Sequence, residues 1–114
     1  MAKPFPIGEL FILGFRGFFV PQWLSEFADQ YGLGGVILFD YDVTLQRYER
    51  NVISPVQVRS LCQEVTKLPS SPMVFLHQEG GKVRRLKAEQ GFSPLPSAKA
   101  FNLLPKAERA EIAE

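Results

Sequence analysis

Three short stretches of unbroken apolar sequence constrain this chain more than any other feature: LFILGF at residues 10–15, GVILF at 35–39 and MVFL at 73–76. Continuous rather than alternating hydrophobicity fits a strand covered on both faces, the habit of parallel sheets. Two amphipathic stretches separate the three runs. In the first, Val20, Trp23, Leu24, Phe27, Ala28 and Tyr31 recur at three- and four-residue steps. Pro21 stands at a favoured first helical position, and Gly32 supplies a stop. In the second, Ser54 caps, Pro55 opens the helix and Gln57 completes a capping box, with Ile53 and Val58 placed as a hydrophobic staple. Val58, Leu61, Cys62, Val65 and Leu68 form its apolar stripe, and Pro69 ends it.

The order is therefore strand, helix, strand, helix, strand. A turn-rich loop at 91–97 follows, then a last helix from near Pro105 into Glu114. Connections of this kind suit right-handed parallel crossovers. Two α/β architectures accommodate them: a small doubly wound sheet, or the first part of a (β/α)8 barrel. Both put function at the carboxyl ends of the strands, where Arg16, Asp40 and His77 stand. The polar segment at 41–51 is long for a βα connection, a length often kept for function.

Thirteen basic and twelve acidic residues leave a formal charge of +1. That balance lacks the broad positive footprint of a nucleic-acid or acidic-membrane binder. Cys62 is the single cysteine, so no intramolecular disulfide forms, and its place on an apolar stripe reads as core filling. The N-terminal MAKPFPIGELFILGF has a lysine and an apolar stretch, but Pro4, Pro6, Gly8, Glu9 and Arg16 break it up. No small-residue cleavage pattern follows. No run approaches the roughly 20 apolar residues of a membrane span, and the expectation is a soluble, cytoplasmic protein.

Among chemistries for the strand ends, nucleotide cradles fail first. Gly14-Phe15-Arg16-Gly17 fits neither a dinucleotide fingerprint nor a P-loop, and Gly80-Gly81-Lys82 lacks the following Ser or Thr. One His, one Cys and scattered acids show no metal-ligand spacing. Asp40, Asp42 and His77 converging on a metal competes with a plainer reading of both aspartates as solvated loop acids, which is preferred. A Ser or Cys nucleophile has no elbow motif here. Asp40 and Glu79 could face each other as a glycosidase carboxylate pair, but Glu79 beside Gly80-Gly81 is better read as accepting backbone N–H bonds of a tight turn. Arg85 carries a planar five-donor fork suited to sugar hydroxyls and carboxylates; its neighbour Arg84 should point in a different direction, and the bare sequence does not say which of the two reaches a pocket.

Taken in order, LGGVILF at 33–39, NVISP at 51–55, QEGGKVRRL at 78–86 and GFSPLPSA at 91–98 resemble the N-terminal part of glycoside hydrolase family 3, in its bacterial β-N-acetylhexosaminidase (β-N-acetylglucosaminidase) branch. The likeness runs from about residue 10 to 101 and is anchored on the Q-E-G-G-[KR]-V-x-R-L pattern. It implies a (β/α)8 TIM-type barrel that hydrolyses O-glycosyl bonds and releases terminal β-linked N-acetylglucosamine. The usual setting is recycling of peptidoglycan fragments in the bacterial cytoplasm. The family acts by retention through a covalent intermediate on an Asp, with a mobile-loop His as acid/base, and with no metal or organic cofactor.

Two departures qualify what carries over. The family motif reads D-Q-E-G-G and its Asp binds sugar hydroxyls; here His77 occupies that position, offering one donor and one acceptor when neutral. The family's binding Arg matches Arg85. The substrate-binding residues expected here are thus Arg85 and His77, and no catalytic residue is expected. A whole barrel takes about 250 residues, so residues 1–114 are expected to be a truncated N-terminal portion lacking the catalytic His and nucleophilic Asp. The expected partners are a carbohydrate (an N-acetylglucosamine-containing glycan or muropeptide) and a complementing C-terminal chain or a second copy. The alternative is a degenerate, non-catalytic sugar-binding or interaction domain.

Overall fold

A computed structural model describes residues 4–114. Its centre is a three-stranded parallel sheet of β1 (Ile12–Gly14), β2 (Gly35–Leu38) and β5 (Met73–Leu76), in the spatial order β1-β2-β5. Gly35 stands opposite both Ile12 and Met73, so the strands run in register and their carboxyl ends share one edge. Helices α1 (Gln22–Tyr31) and α2 (Pro55–Thr66) make the two crossovers.

Both helices cover the same face of the sheet. Leu24 and Ala28 of α1, Leu61 and Val65 of α2, and Val36 and Leu38 of β2 form one core cluster, with Leu13, Val74 and Leu76 packed against it. Burying each such Leu or Val fully is worth about 1.5–3 kcal/mol. Strand alternation sends Ile12, Gly35, Ile37, Met73 and Phe75 to the opposite face. There Ile12 is 51% and Met73 63% exposed. Two covered faces were expected from the unbroken apolar runs; among the described residues only one face is covered. The hydrophobicity serves both faces, but these residues bring helices to one.

The start of α2 follows its sequence signals closely. The Ser54 hydroxyl accepts from the Gln57 amide at 3.2 Å, while the Gln57 side chain accepts from the Ile53 N–H at 2.8 Å. That second bond reaches one residue further back than a standard capping box, because Gln57 also donates to the Asn51 carbonyl. Pro21 proves to be the cap of α1 rather than its first residue, and Gly32 ends the helix with φ +77°. Trp23 and Tyr31, assigned to the apolar stripe, lie largely exposed on its flank.

Three segments differ from expectation. The long connection after β2 is a hairpin of β3 (Tyr41–Asp42) and β4 (Arg47–Tyr48). The segment after β5 forms a second hairpin, β6 (Gln78–Gly80) with β7 (Val83–Arg84). Near the end, α3 (Ala98–Leu103), capped by Ser97, precedes the expected α4 (Lys106–Ala113). The start of the N-terminal apolar stretch, residues 1–3, lies outside the described residues. The remainder enters a 3-10 turn at Ile7–Leu10 and then β1. Among the described residues no helix is long and apolar enough to cross a membrane. Cys62 is half-buried, and burial pushes its thiol pKa up, which suits an inert packing role.

Candidate functional site

Asn51, wholly buried, organises the strand ends. Its side-chain amide donates to the carbonyls of Phe15 (3.2 Å) and Gly17 (2.9 Å), and its Oδ1 accepts from the Phe39 N–H (3.0 Å). Its own N–H donates to the Phe39 carbonyl. One side chain thereby fastens the exit of β1 to the exit of β2, meeting backbone groups that neither strand can pair. Arg50 adds a bond from Nε to the Phe15 carbonyl at 3.1 Å.

Asp40 and Asp42, read from sequence as solvated loop acids, are both buried. Short, paired chain geometry explains the correction: the β3–β4 hairpin folds back over the strand ends and turns these carboxylates inward. Asp42 receives a two-pronged bond from the Arg16 guanidinium and accepts from the Leu45 N–H at 2.9 Å. The Arg16 bond first, and the Leu45 amide second, hold its carboxyl down to about 2.

Asp40 accepts from Arg85 Nη1 at 3.3 Å and from Lys87 Nζ. Arg85 also lies against the Phe39 ring, 5.8 Å from its centroid, with Arg50 at 5.3 Å. The Arg85 backbone is fixed by Gln78, whose Oε1 accepts from the N–H groups of Arg85 (2.8 Å) and Leu86 (3.0 Å) while its Nε2 donates to the Leu86 carbonyl (3.0 Å). Gln78 thus does the pinning assigned in advance to Glu79, which lies exposed on the alternate side of β6. In a strand, adjacent residues face opposite ways, and Gln78 has the inward place.

The two glycines of the motif have a geometric cause. Gly80 has φ +84°, and a Cβ there would come within 2.0 Å of the Pro96 carbonyl oxygen. Their bareness lets the 91–97 loop lie directly on the second hairpin, with the Gly81 N–H donating to the Leu95 carbonyl at 3.3 Å. This joins the last two blocks of the sequence pattern in space.

Between the two hairpins lies a hollow of about 490 Å³, within the range of ligand pockets. Lys82, Arg84, Arg85 and Lys87 line it, with Asp40 as its carboxylate and Tyr41 and Tyr48 as a wall. Of the two binding residues expected from sequence, Arg85 borders this hollow. His77 does not: it is exposed just past β5, edge-on to Phe39 with ring centroids 6.4 Å apart. Glu79 is outside the hollow too, so Asp40 and Glu79 do not face each other across it. Asp40, Asp42 and His77 form no metal cluster; among the described residues no group of three or more potential ligands occurs. Asn51, Gln78, Phe39 and Lys87 were not singled out from sequence. Gln78, a long amide next to a glycine pair and one step from a strand end, carried the clearest overlooked signal.

No family model matches the chain. The β-hexosaminidase of Pseudomonas aeruginosa is 38% identical to it over 82 residues, covering 72% of this chain and 21% of that protein. That of Methylococcus capsulatus is 36% identical over 76 residues, covering 67% and 20%. A glycoside hydrolase family 3 β-N-acetylglucosaminidase from Paenibacillus sp. str. FPU-7 superposes with a TM-score of 0.72 at 26% identity, over 92% of this chain and 19% of that one. NagZ from Neisseria gonorrhoeae, in complex with N-trifluoroacetyl-D-glucosamine, gives 0.68 at 22% identity, over 98% and 30%, a likeness of fold.

A parallel α/β fold with its polar groups gathered at the strand exits, together with these relatives, defines a glycoside hydrolase-like protein. More narrowly, the chain is a family 3 β-N-acetylhexosaminidase-like protein. It spans about a fifth of the length of the curated relatives it matches.

Proposed function

We propose that residues 1–114 are the N-terminal portion of a family 3 catalytic barrel, the first three units of a (β/α)8 TIM-type fold. They would supply part of the sugar-binding site of an enzyme that hydrolyses O-glycosyl bonds and releases terminal β-linked N-acetylglucosamine by retention. The half-covered sheet supports the barrel. A barrel strand has helices outside and packed side chains inside, and the bare face carrying Ile12, Ile37, Met73 and Phe75 is apolar enough to be such an interior.

The observation that carries the functional reading is Arg85 bordering the hollow at the strand exits. Asp40 holds one Nη of the guanidinium, and Nε is buried without a protein partner among the described residues. The other Nη, which makes no hydrogen bond among the described residues, is the donor left for a hydroxyl of a sugar ring. Orientation of the substrate is the contribution of these residues. The nucleophilic Asp and the acid/base His that the resemblance implies belong to polypeptide outside residues 1–114, whether continuous with them or a complementing chain. Recycling of cell-wall fragments in the bacterial cytoplasm is the setting that goes with this reading.

The test is turnover of a chromogenic β-N-acetylglucosaminide by residues 1–114 alone and together with the remaining barrel. Turnover only in the second case is expected; turnover by these residues alone would defeat the assignment.

A second reading, a non-catalytic sugar-binding or interaction domain, is favoured by one observation. His77 stands where the resembled motif has its sugar-binding Asp, and it lies off the hollow. Restoring the acid with His77→Asp separates the two. Activity in the assembled enzyme that rises only with the Asp favours the second reading; activity already present with His77 favours the first.

A further inference from the structure

The charge in the hollow exceeds what an uncharged sugar requires. Lys82, Arg84, Arg85 and Lys87 line it against a single carboxylate, Asp40. Arg85 and Lys87 share that carboxylate between them. Arg84 pairs with Glu89 at 3.2 Å, but both side chains are well exposed, and such a pair is worth little in water. Lys82, at the exposed turn between β6 and β7, makes no ion pair among the described residues. N-acetylglucosamine is neutral and would leave this concentration of cations unmatched.

The cations are also built in, not scattered. The left-handed turn at Gly80 and Gly81 aims the start of β7 across the hollow, with φ values of +84° and +61°. Gln78 fixes the chain on the far side, at Arg85 and Leu86. Lys87 Nζ is held between Asp40 and the face of Tyr48, 4.2 Å from the ring centroid. Tyr48 is 60% exposed and packs edge-on to Tyr41 with centroids 5.0 Å apart, leaving an aromatic wall beside the charged floor. An aromatic wall takes the apolar face of a sugar ring, and a set of ammonium and guanidinium donors takes an oxyanion.

We propose that the hollow between the two hairpins recognises an oxyanion, a carboxylate or phosphate, on the sugar held by Arg85, so that the preferred substrate class is an acidic N-acetylhexosaminide. This deepens the proposed function and rests on Arg85 being its sugar-binding group. Lys82 and Arg84 supply the specificity, and Tyr48 the surface on which the ring lies.

Heteronuclear NMR titration of the chain tests it with five probes: N-acetylglucosamine, N-acetylglucosamine 6-phosphate, glucose, glucuronic acid and inorganic phosphate. The phosphosugar is expected to bind at least about five-fold more tightly than the neutral sugar, a gain abolished by K82E or R84E and by raising salt from about 10 mM to about 1 M. Glucuronic acid binding more tightly than glucose would extend the same result to carboxylates; phosphate-only preference narrows the class to phosphosugars. If the neutral sugar binds and the phosphosugar binds no better, this inference is overturned while the proposed function stands. If the neutral sugar does not bind and the phosphosugar merely equals inorganic phosphate, both fall.

Discussion

Arg85 reaches back across 45 residues of chain to Asp40, Nη1 to Oδ1 at 3.3 Å, and so ties the β6–β7 hairpin to the exit of β2. Asp40 is almost fully buried and is shared with Lys87. Asp40→Asn keeps the shape and removes the charge that holds two cations in place. The expected loss of stability is on the order of 2 kcal/mol, the scale of hydrogen bonds to charged groups. Urea denaturation reads it, and an unchanged midpoint would mean the pair holds nothing.

Asn51 should be among the most sensitive positions in the chain. Asn51→Ala leaves the Phe39 N–H and the Gly17 carbonyl without their partner, and leaves the Phe15 carbonyl with Arg50 alone. A buried group left unpaired costs about 1–3 kcal/mol, so a loss of more than about 3 kcal/mol is expected. Asn51→Asp retains the acceptor for Phe39 and sets a negative charge against two carbonyls, so it should not rescue. Amide exchange at Phe39 and Gly17 would report where the strand exits open.

The glycines divide into two kinds that substitution can tell apart. Gly80→Ala meets the Pro96 carbonyl and a left-handed backbone together, and should cost more than about 2 kcal/mol while loosening the 91–97 loop. Gly17→Ala has φ +107° but nothing within 4 Å, so backbone strain alone applies, at about 1 kcal/mol. Equal losses at the two sites would refute the close approach of loop and hairpin.

The Asp42–Arg16 pair gives the fold an acid limb. A carboxyl whose folded pKa is depressed stabilises above its unfolded value near about 3.9, and the contribution disappears as pH falls through about 2. Stability measured from pH 5 downward should therefore fall through that window, and Asp42→Asn should be less stable at pH 5 with a flatter profile below it. Parallel profiles for the two proteins would contradict this.

The parallel sheet and its two helices were legible in the sequence because their signals are local and reinforce each other. Ser54, Pro55 and Gln57 mark one helix start at adjacent positions, and Met73 to Leu76 is a strand flanked by Pro72 and His77. The site was legible only in part. Arg85 came through its motif, but the burial of Asp40 and Asp42 depends on a hairpin whose strands are two residues each, too short to leave a periodic signal. Glu79 and Gln78 were exchanged in role because alternation along β6 turns on a strand start that the sequence does not mark. The bare face of the sheet was hidden for another reason. A sequence shows that a surface is apolar, but not which polypeptide covers it.

The most direct measurement of the central claim, that Arg85 holds a sugar at the strand exits, is an isotope-labelled titration of the chain with N-acetylglucosamine, compared with Arg85→Lys. The account predicts saturable shifts in the Asp40, Gln78 and Arg85 amides of the unsubstituted chain, and at least about ten-fold weaker binding once the planar fork is replaced by a point charge. Shifts that cluster elsewhere, or equal affinity in the two proteins, would contradict it.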